Sequence, residues 1–147
     1  MGAHALRIAP AHDAAQSGDD AVFTTTTPRL MLLARRDSAA GLICTLHDKV
    51  TRRRLGWISF GRALDDPGSI RIDFFIEARE RGRGLMREAM RAAAGPAFAR
   101  LKARIAYAQV RADGAAAIAV MRGIGLRRAN RATAALLHFE KDLCGLL

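Results

Sequence analysis

The chain has 147 residues, half of them hydrophobic, which fits one globular domain with a single core and excludes a largely disordered protein. Its formal net charge at pH 7 is +10, and no stretch approaches the roughly 20 uncharged apolar residues of a membrane-spanning helix. Because Cys44 and Cys144 form no CxxC pair and lie in no histidine cluster, neither a disulfide framework nor a structural zinc site is expected.

The N-terminal residues give the weakest structural signals. Leu6–Ala9 is a short run that predicts a strand, and Asp13–Ala15 favours the start of a helix. The segment lacks the apolar block of a signal peptide, so we expect a cytoplasmic protein.

The segment that begins at Thr27, the last of four consecutive threonines, has two interpretations. Thr27 followed by Pro28 is typical of a helix N-cap with proline at the first helical position. This pattern predicts a helix that passes through Leu30–Ala34 and ends near Gly41. The alternative is a strand over Arg29–Ala34.

The middle of the chain shows β-type patterns. The apolar runs Leu42–His47 and Leu55–Phe60 are joined by a polar segment and predict a hairpin. Residues 65–68, with the sequence Asp-Asp-Pro-Gly, are a strong turn signal. Ile70–Glu77 then alternates between apolar and polar residues, which predicts a strand.

From Leu85 onward the apolar residues recur with the period of a helix. The apolar stripe consists of Leu85, Met86, Ala89, Met90, Ala93 and Ala97. Gly95 and Pro96 are expected to kink or interrupt this helix, because proline has no N–H group and its ring clashes with the preceding turn.

The last third of the chain returns to alternating elements. We predict a strand over Ile105–Val110 and a helix over Ala115–Arg122, with Asp113 as its N-cap and Gly125 at its end. Leu136–Lys141 is predicted as a closing strand. Hairpin and crossover connections both occur in this order of elements, so the sequence predicts an α+β fold with a mixed sheet.

Positive charge is concentrated in one part of the chain. Residues 79–111 have a local net charge of +7, whereas residues 1–28 have a net charge of −2. This distribution indicates a polyanionic partner, either a phosphate-bearing cofactor or nucleic acid. A solvated arginine-rich face is the alternative.

The hexapeptide Arg79–Gly84, RERGRG, stands between a predicted strand and a predicted helix. Glycines allow the main chain to approach a ligand closely. The first N–H groups of a helix have no partner within the helix, and the helix dipole favours anions there. The arginines would add charge-assisted hydrogen bonds. The segment, which we call the glycine–arginine loop, is therefore expected to bind a diphosphate.

Comparison with known glycine-rich motifs narrows the kinds of phosphate-binding loop that the segment can be. A Walker loop is absent, and the dinucleotide fingerprint GxGxxG fails because Arg87 stands at the third glycine. RERGRG fits [RQ]-x-x-G-x-[GA] and precedes LMREAMRAA, and VRADGAAAIAVMRGIGLRRA has the spacing V-x-P-D-N-x-A-S-x-x-V-L-x-x-x-G-F. In these motifs the chain resembles the GNAT superfamily of acyl-CoA-dependent N-acyltransferases, most closely the ribosomal-protein N-terminal acetyltransferases. The resemblance covers Leu42–Lys141 well and residues 1–41 poorly, within one domain over residues 1–147.

The resemblance implies a largely antiparallel mixed sheet with helices on both faces and a central bulge or splay where acetyl-CoA binds. It places the pantetheine arm between strands that end near Ile76 and Val110, with an N–H near Ile76 polarising the thioester carbonyl. Gly114 stands where the family has an asparagine that contacts coenzyme A. The remaining cofactor-binding residues implied are Arg79, Arg81, Gly82, Arg83, Gly84 and Leu85.

The catalytic groups of the family are only partly present. Met121 stands at the position of the tyrosine that many members use as the acid, and Ala117 stands where the ribosomal branch has a serine. The remaining candidates for acid–base chemistry are Glu77, Asp73 and Tyr107. No metal is implied.

The acceptor that the resemblance implies is a primary amine: a protein N-terminus, a lysine or a small molecule. The short segment before Leu42 indicates a small or open acceptor wall. Two other functions stay open: a CoA-binding module of the same fold that is catalytically weak or inactive, and a basic nucleic-acid-binding domain. The second rests on AAAIAVMRGIGLRRA, which resembles a helix-turn-helix. An RNA or ribosomal acceptor and a homodimer also stay open, and no membrane partner is expected.

Overall fold

A computed structural model describes residues 21–38, 40–129 and 136–143 of the chain. The strand predicted over Leu6–Ala9 and the helix predicted at Asp13–Ala15 lie outside these residues. The strands are β1 Phe23–Thr26, β2 Leu30–Arg36, β3 Leu42–Asp48, β4 Arg54–Arg62, β5 Ser69–Ile76, β6 Ile105–Arg111, β7 Arg127–Ala129 and β8 Leu136–Asp142. The helices are a 3₁₀ turn Ala78–Glu80, α1 Leu85–Leu101 and α2 Ala115–Gly123.

The eight strands form one sheet in the order β1-β2-β3-β4-β5-β6-β8-β7. Within the described residues every neighbouring pair is antiparallel except β5 and β6, which are parallel because α1 forms a crossover between them. The prediction of a mixed, largely antiparallel sheet is therefore confirmed. The hairpin predicted from Leu42–His47 and Leu55–Phe60 is also confirmed, as β3 and β4.

The helix predicted after Thr27 and Pro28 is wrong, and the alternative strand is correct. Residues Leu30–Arg36 form β2, which pairs with β1 on one side and with β3 on the other. The Thr27 hydroxyl accepts a hydrogen bond from the N–H of Leu30 at 3.0 Å, and the Thr27 N–H donates to the Leu30 carbonyl at 2.9 Å. The threonine therefore closes a tight hairpin turn instead of capping a helix.

Helix α1 runs through Gly95 and Pro96 without interruption. The proline removes one hydrogen bond from the helix interior. The flanking turns nevertheless bury Ala93, Ala97 and Phe98 against the core, and this burial favours the continuous helix. All residues of the predicted apolar stripe are buried.

Asp113 is not the N-cap of α2. Its carboxylate accepts two hydrogen bonds of 3.0 Å from Arg111, and Gly114 occupies the cap position with no side-chain hydrogen bond. The predicted end of the helix is confirmed: Gly125 has a φ of +92°, its N–H donates to Arg122, and the Leu126 N–H donates to Met121. This pair of bonds is a Schellman motif, which needs a residue with positive φ and so favours glycine.

The core lies between α1 and the sheet. Residues at alternate positions of β2 to β5, such as Leu32, Cys44, Ile58 and Ile72, are almost completely buried. Among the helices of the described residues, none combines the length and the apolar character that crossing a bilayer requires.

Candidate functional site

The two parallel strands in the middle of the sheet separate halfway along their length. β5 and β6 pair only between Ser69–Arg71 and Ile105–Tyr107. Beyond these residues β5 continues to Ile76 paired with β4, and β6 continues to Arg111 paired with β8. The implied splay is therefore present, and it opens a gap between the ends of the two strands.

Ile76 presents its main chain to this gap. The N–H of Glu77 donates to the carbonyl of Leu55 at 2.9 Å, so these two residues are a hydrogen-bonded pair between β4 and β5. Such pairs alternate along an antiparallel ladder, so the main-chain groups of Ile76 point away from β4. Its carbonyl accepts a hydrogen bond of 2.9 Å from the Arg81 side chain, which leaves the N–H as the group directed at the gap.

Val110 does not face the gap through its main chain. The N–H of Leu143 donates to the carbonyl of Arg104 at 2.7 Å, and the same alternation then directs the main chain of Val110 to β8. The Val110 side chain is buried in the core. The neighbouring Gln109 presents its main-chain groups to the gap instead, a residue that the sequence patterns did not indicate.

The glycine–arginine loop connects β5 to α1 and needs both of its glycines. Gly82 and Gly84 have φ values of +81° and +75°, a region that strains residues with a Cβ atom. Gly84 is the N-cap of α1 and provides no side-chain hydrogen bond to the helix. The helix therefore begins without a capping side chain.

The main-chain N–H groups of the loop are free to bind an anion. Among the described residues, none of the N–H groups from Gly82 to Leu85 has an acceptor. Four unpaired N–H groups at the start of a 17-residue helix, where the helix dipole is positive, fit a diphosphate.

The arginine side chains of the loop make contacts within the protein. Arg83 donates to Glu80 at 2.5 Å, and the Arg81 guanidinium lies 5.6 Å from the centre of the Phe75 ring. Within the described residues, Arg79 has only a long ion pair, with its Nε atom 3.9 Å from Glu77, whereas Arg81 and Arg83 each donate a side-chain hydrogen bond. Arg79 is thus the arginine that can reach a ligand with the least rearrangement.

A second ionic group joins the loop to the β1–β2 turn. Glu88, in the first turn of α1, accepts hydrogen bonds from the Thr27 hydroxyl and from the Arg29 main chain and side chain. Burial alone would raise the pKa of Glu88, but these hydrogen bonds outweigh it and hold the pKa below its ordinary value. A cavity of about 620 Å³ lies beside this group, lined in part by Arg87 and Arg91. No local pattern in the sequence pointed to Arg29 or Glu88.

The candidate acid–base groups are each held by a neighbour. Arg71 Nε lies 3.3 Å from the Asp73 carboxylate, and Arg53 donates to Glu77 at 3.0 Å. The ring of Tyr107 stacks on His138 with 5.5 Å between the ring centres. Neither carboxylate is therefore a free base in this conformation.

Two of the departures from the family pattern lie on α2, and the third caps it. Met121 is fully buried, Ala117 is half-buried against the core, and Gly114 is the N-cap. Cys44 is no substitute nucleophile, because burial raises the pKa of its thiol to about 12. In the described part of the chain, no three His, Cys, Asp or Glu side chains lie together as a metal site would require.

Comparison with protein families gives one match over most of the chain. The model of the GNAT acetyltransferase domain matches residues 6–127. The match begins within the first 41 residues, where the motifs carried little resemblance, and it ends before β8. A search of curated protein sequences gave no significant match.

Solved structures share the fold. A protein from Vibrio cholerae, provisionally assigned as a ribosomal-protein-serine acetyltransferase, has 15% identity and a TM-score of 0.63 over 82% of this chain and 98% of its own. The ribosomal L7/L12 α-N-protein acetyltransferase RimL, in complex with coenzyme A, has 15% identity and a TM-score of 0.58 over 69% of this chain and 61% of its own. The spermidine/spermine N-acetyltransferase SpeG from Vibrio cholerae has 12% identity and a TM-score of 0.59 over 70% of this chain and 67% of its own.

Proposed function

The chain belongs to the GNAT acetyltransferase family, and from this premise we propose that it transfers an acetyl group from acetyl-CoA to a primary amine. The observation that carries the proposal is the row of N–H groups from Gly82 to Leu85 without acceptors, at the start of α1 and beside the gap between β5 and β6. One site can then bind a diphosphate and, a few residues away, the arm that bears the thioester.

The residues of the chain have distinct tasks in this reaction. The loop N–H groups hold the diphosphate of acetyl-CoA, and Arg79 adds charge from the exposed side. The main chain of Ile76 and Gln109 lines the gap for the pantetheine arm. The Ile76 N–H, directed at the gap, donates to the thioester carbonyl and stabilises the negative charge that develops on its oxygen.

The acceptor amine must lose a proton and the departing thiolate must gain one. The amine nitrogen attacks the acetyl carbon, the carbon–sulfur bond breaks, and the amine proton passes to water or to a nearby carboxylate. Asp73 and Glu77 are the nearest carboxylates on β5 and its end, but both are paired with arginine. Positioning of the two reactants therefore supplies most of the acceleration, and water carries the protons.

The segment before Leu42, which is expected to form the wall of the acceptor site, is short and supports an open site. β2 and β3 are joined by residues 37–41 alone, in a turn where the Gly41 N–H donates to the Asp37 carboxylate at 2.9 Å. The described residues of this connection form no helix between the two strands. An open wall suits an amine on a peptide N-terminus or a lysine, and it also admits a polyamine.

A CoA-binding module without catalytic activity is the second candidate. It is favoured by the coincidence of three features: a buried Met121 at the position of the family acid, Ala117 in place of a serine, and arginine-paired carboxylates. The nucleic-acid alternative loses its structural basis, because α2 is followed by β7 and not by a recognition helix.

Two measurements test the proposal. Isothermal titration with coenzyme A should show binding that Gly84→Asp abolishes, because that variant adds bulk and negative charge at the start of α1. Release of free thiol from acetyl-CoA should then be measured with a panel of peptides, lysine derivatives and polyamines. Absence of binding to the unmodified protein overturns the proposal, and binding without transfer to any amine leaves the second candidate.

A further inference from the structure

We propose that Glu80 is a positioning residue that, together with Arg53, fixes the glycine–arginine loop in the shape that binds the diphosphate. The inference rests on the proposed function and adds to it a contact from a distant part of the chain. Arginines occupy both carboxylate oxygens of Glu80, so this residue does not itself bind the ligand. It acts through the main chain of the loop, whose N–H groups face the ligand.

Glu80 is buried although it carries a charge. Only 7% of the residue is exposed, and one carboxylate oxygen accepts from Arg83 at 2.5 Å while the other accepts from Arg53. Arg53 comes from the connection between β3 and β4, 27 residues earlier, and it also donates to Glu77 at 3.0 Å. One guanidinium thus holds both the end of β5 and the 3₁₀ turn that leads into the loop.

Side-chain packing gives the loop no support at Gly82. Gly82 lies in open space, with no atom within 4 Å of the place where a Cβ would stand, so its positive φ is not enforced by packing. A segment with two glycines loses much conformational entropy when it is ordered. The Glu80 carboxylate is held by two arginines and fixes one side of the loop. Ligand binding then has to order less of the loop.

Glu80 belongs to a cluster of two arginines and two glutamates, and the balance of their charges explains why an acidic residue can lie in an anion site. Arg53 and Arg83 balance Glu77 and Glu80, so the four side chains together carry no net charge. The hydrogen bond from Arg53 holds the Glu80 carboxyl in its charged form. The diphosphate is then left to the N–H groups and to Arg79, while the cluster serves to place them.

The test compares coenzyme A with pantetheine, which lacks the diphosphate and the nucleotide. Glu80→Ala and Arg53→Met should each weaken the binding of coenzyme A about tenfold to a hundredfold, the range that a hydrogen bond to a charged group supplies. Their affinity for pantetheine should not change, because its arm contacts the gap and not the loop. Glu80→Gln, which keeps the shape of the side chain, should restore part of the affinity. The double variant should lose less than the two single losses combined, because both changes break one interaction.

Asp66→Asn is the matched control. It breaks an ion pair of similar geometry, between Asp66 and Arg104 at 2.7 Å, in a turn that holds none of the loop, and it should leave both affinities unchanged. Unchanged binding of coenzyme A in Arg53→Met, a variant that keeps the loop sequence, overturns the inference. An equal loss for coenzyme A and pantetheine also overturns it, since that indicates a general structural defect. If the unmodified protein binds no coenzyme A, it is the proposed function that fails.

Discussion

The guanidinium of Arg29 donates a hydrogen bond of 2.9 Å to the main-chain carbonyl of Arg83, 54 residues later in the chain. The same guanidinium donates to Glu88 at 2.8 Å. The turn between β1 and β2 is thus attached to the glycine–arginine loop and to the first turn of α1. A segment that the sequence left ambiguous becomes part of the support of the candidate site.

The first prediction concerns this attachment. Arg29→Met removes the bonds to Arg83 and Glu88 and should lower the free energy of unfolding by about 1 kcal/mol, since Arg29 is partly exposed and solvent weakens its ion pair. Urea denaturation measures the change. Arg91→Met is the control: it lies in the same cavity wall, it has no partner among the described residues, and its effect should stay within about 0.5 kcal/mol. Equal effects of the two substitutions would contradict the assigned role.

A second prediction compares two glycines near and within the same helix. Gly84→Ala should destabilise the protein by about 1–2 kcal/mol, because an alanine is strained at a φ of +75°. Gly95→Ala should stabilise it by about 0.5–1 kcal/mol, because Gly95 lies inside α1 with open space around its Cβ position. Thermal and urea unfolding of the two variants should therefore shift in opposite directions, and a shift of the same sign would refute the assigned conformation of Gly84.

The third prediction is a loss of stability on acidification. The hydrogen bond from Arg53 lowers the pKa of Glu80 from its ordinary value of 4.5, so folding favours the charged form. This contribution is complete above the ordinary pKa and disappears as the pH falls through the lowered value in the folded protein. The free energy of unfolding should decline below about pH 4.5 and should do so less steeply in Glu80→Gln. Parallel pH profiles for the two proteins would show that Glu80 contributes nothing.

His47 should also lower the free energy of unfolding on acidification, but at a higher pH than Glu80 does. Burial lowers the pKa of His47 from its ordinary value of 6.5, because the charged imidazolium is poorly solvated there. Folding then favours the neutral ring, and stability declines as the pH falls below 6.5 toward the lowered value. His47→Gln should remove the part of the pH dependence that lies between the two values, which separates it from the effect of Glu80.

The fourth prediction concerns Met121, which lies on α2. Alignment with the family places Met121 where other members have an acid tyrosine, which suggests that Met121→Tyr would be tolerated. Met121 is completely buried, however, and a larger ring with a hydroxyl group should overpack the core and cost about 1–3 kcal/mol. Urea denaturation would decide, with Met121→Leu as a control of similar volume that should cost less than about 1.5 kcal/mol. A Tyr variant as stable as the original would mean that the side chain turns toward the gap.

The elements that the sequence predicted correctly are those fixed by local chemistry. Two patterns predicted which side of an element is buried: the alternation of Ile70–Glu77 and the apolar stripe of α1. The burial of side chains in β5 and α1 follows both patterns. Gly82 and Gly84 were singled out because glycine lets the main chain approach a ligand closely, and Gly125 because glycine ends helices. All three have a positive φ. Such properties depend on a residue and its near neighbours.

The elements that the sequence missed depend on partners elsewhere. Thr27 and Pro28 form a valid helix signal by themselves, yet Leu30–Arg36 gains more by pairing with strands on both sides. The predicted cap by Asp113 was lost to a competing guanidinium two residues earlier, on Arg111.

The amino-acid order by itself determined the family motif, the strand–loop–helix context of the proposed diphosphate site and the glycines that the loop requires, because backbone preferences and periodicity act over a few residues. Only the tertiary structure decided that Gln109 and not Val110 faces the gap, and that Arg29, Arg53, Glu80 and Glu88 support the loop. Strand register and ion pairs between residues 27 to 59 positions apart follow from how the whole chain packs, and no local pattern encodes them.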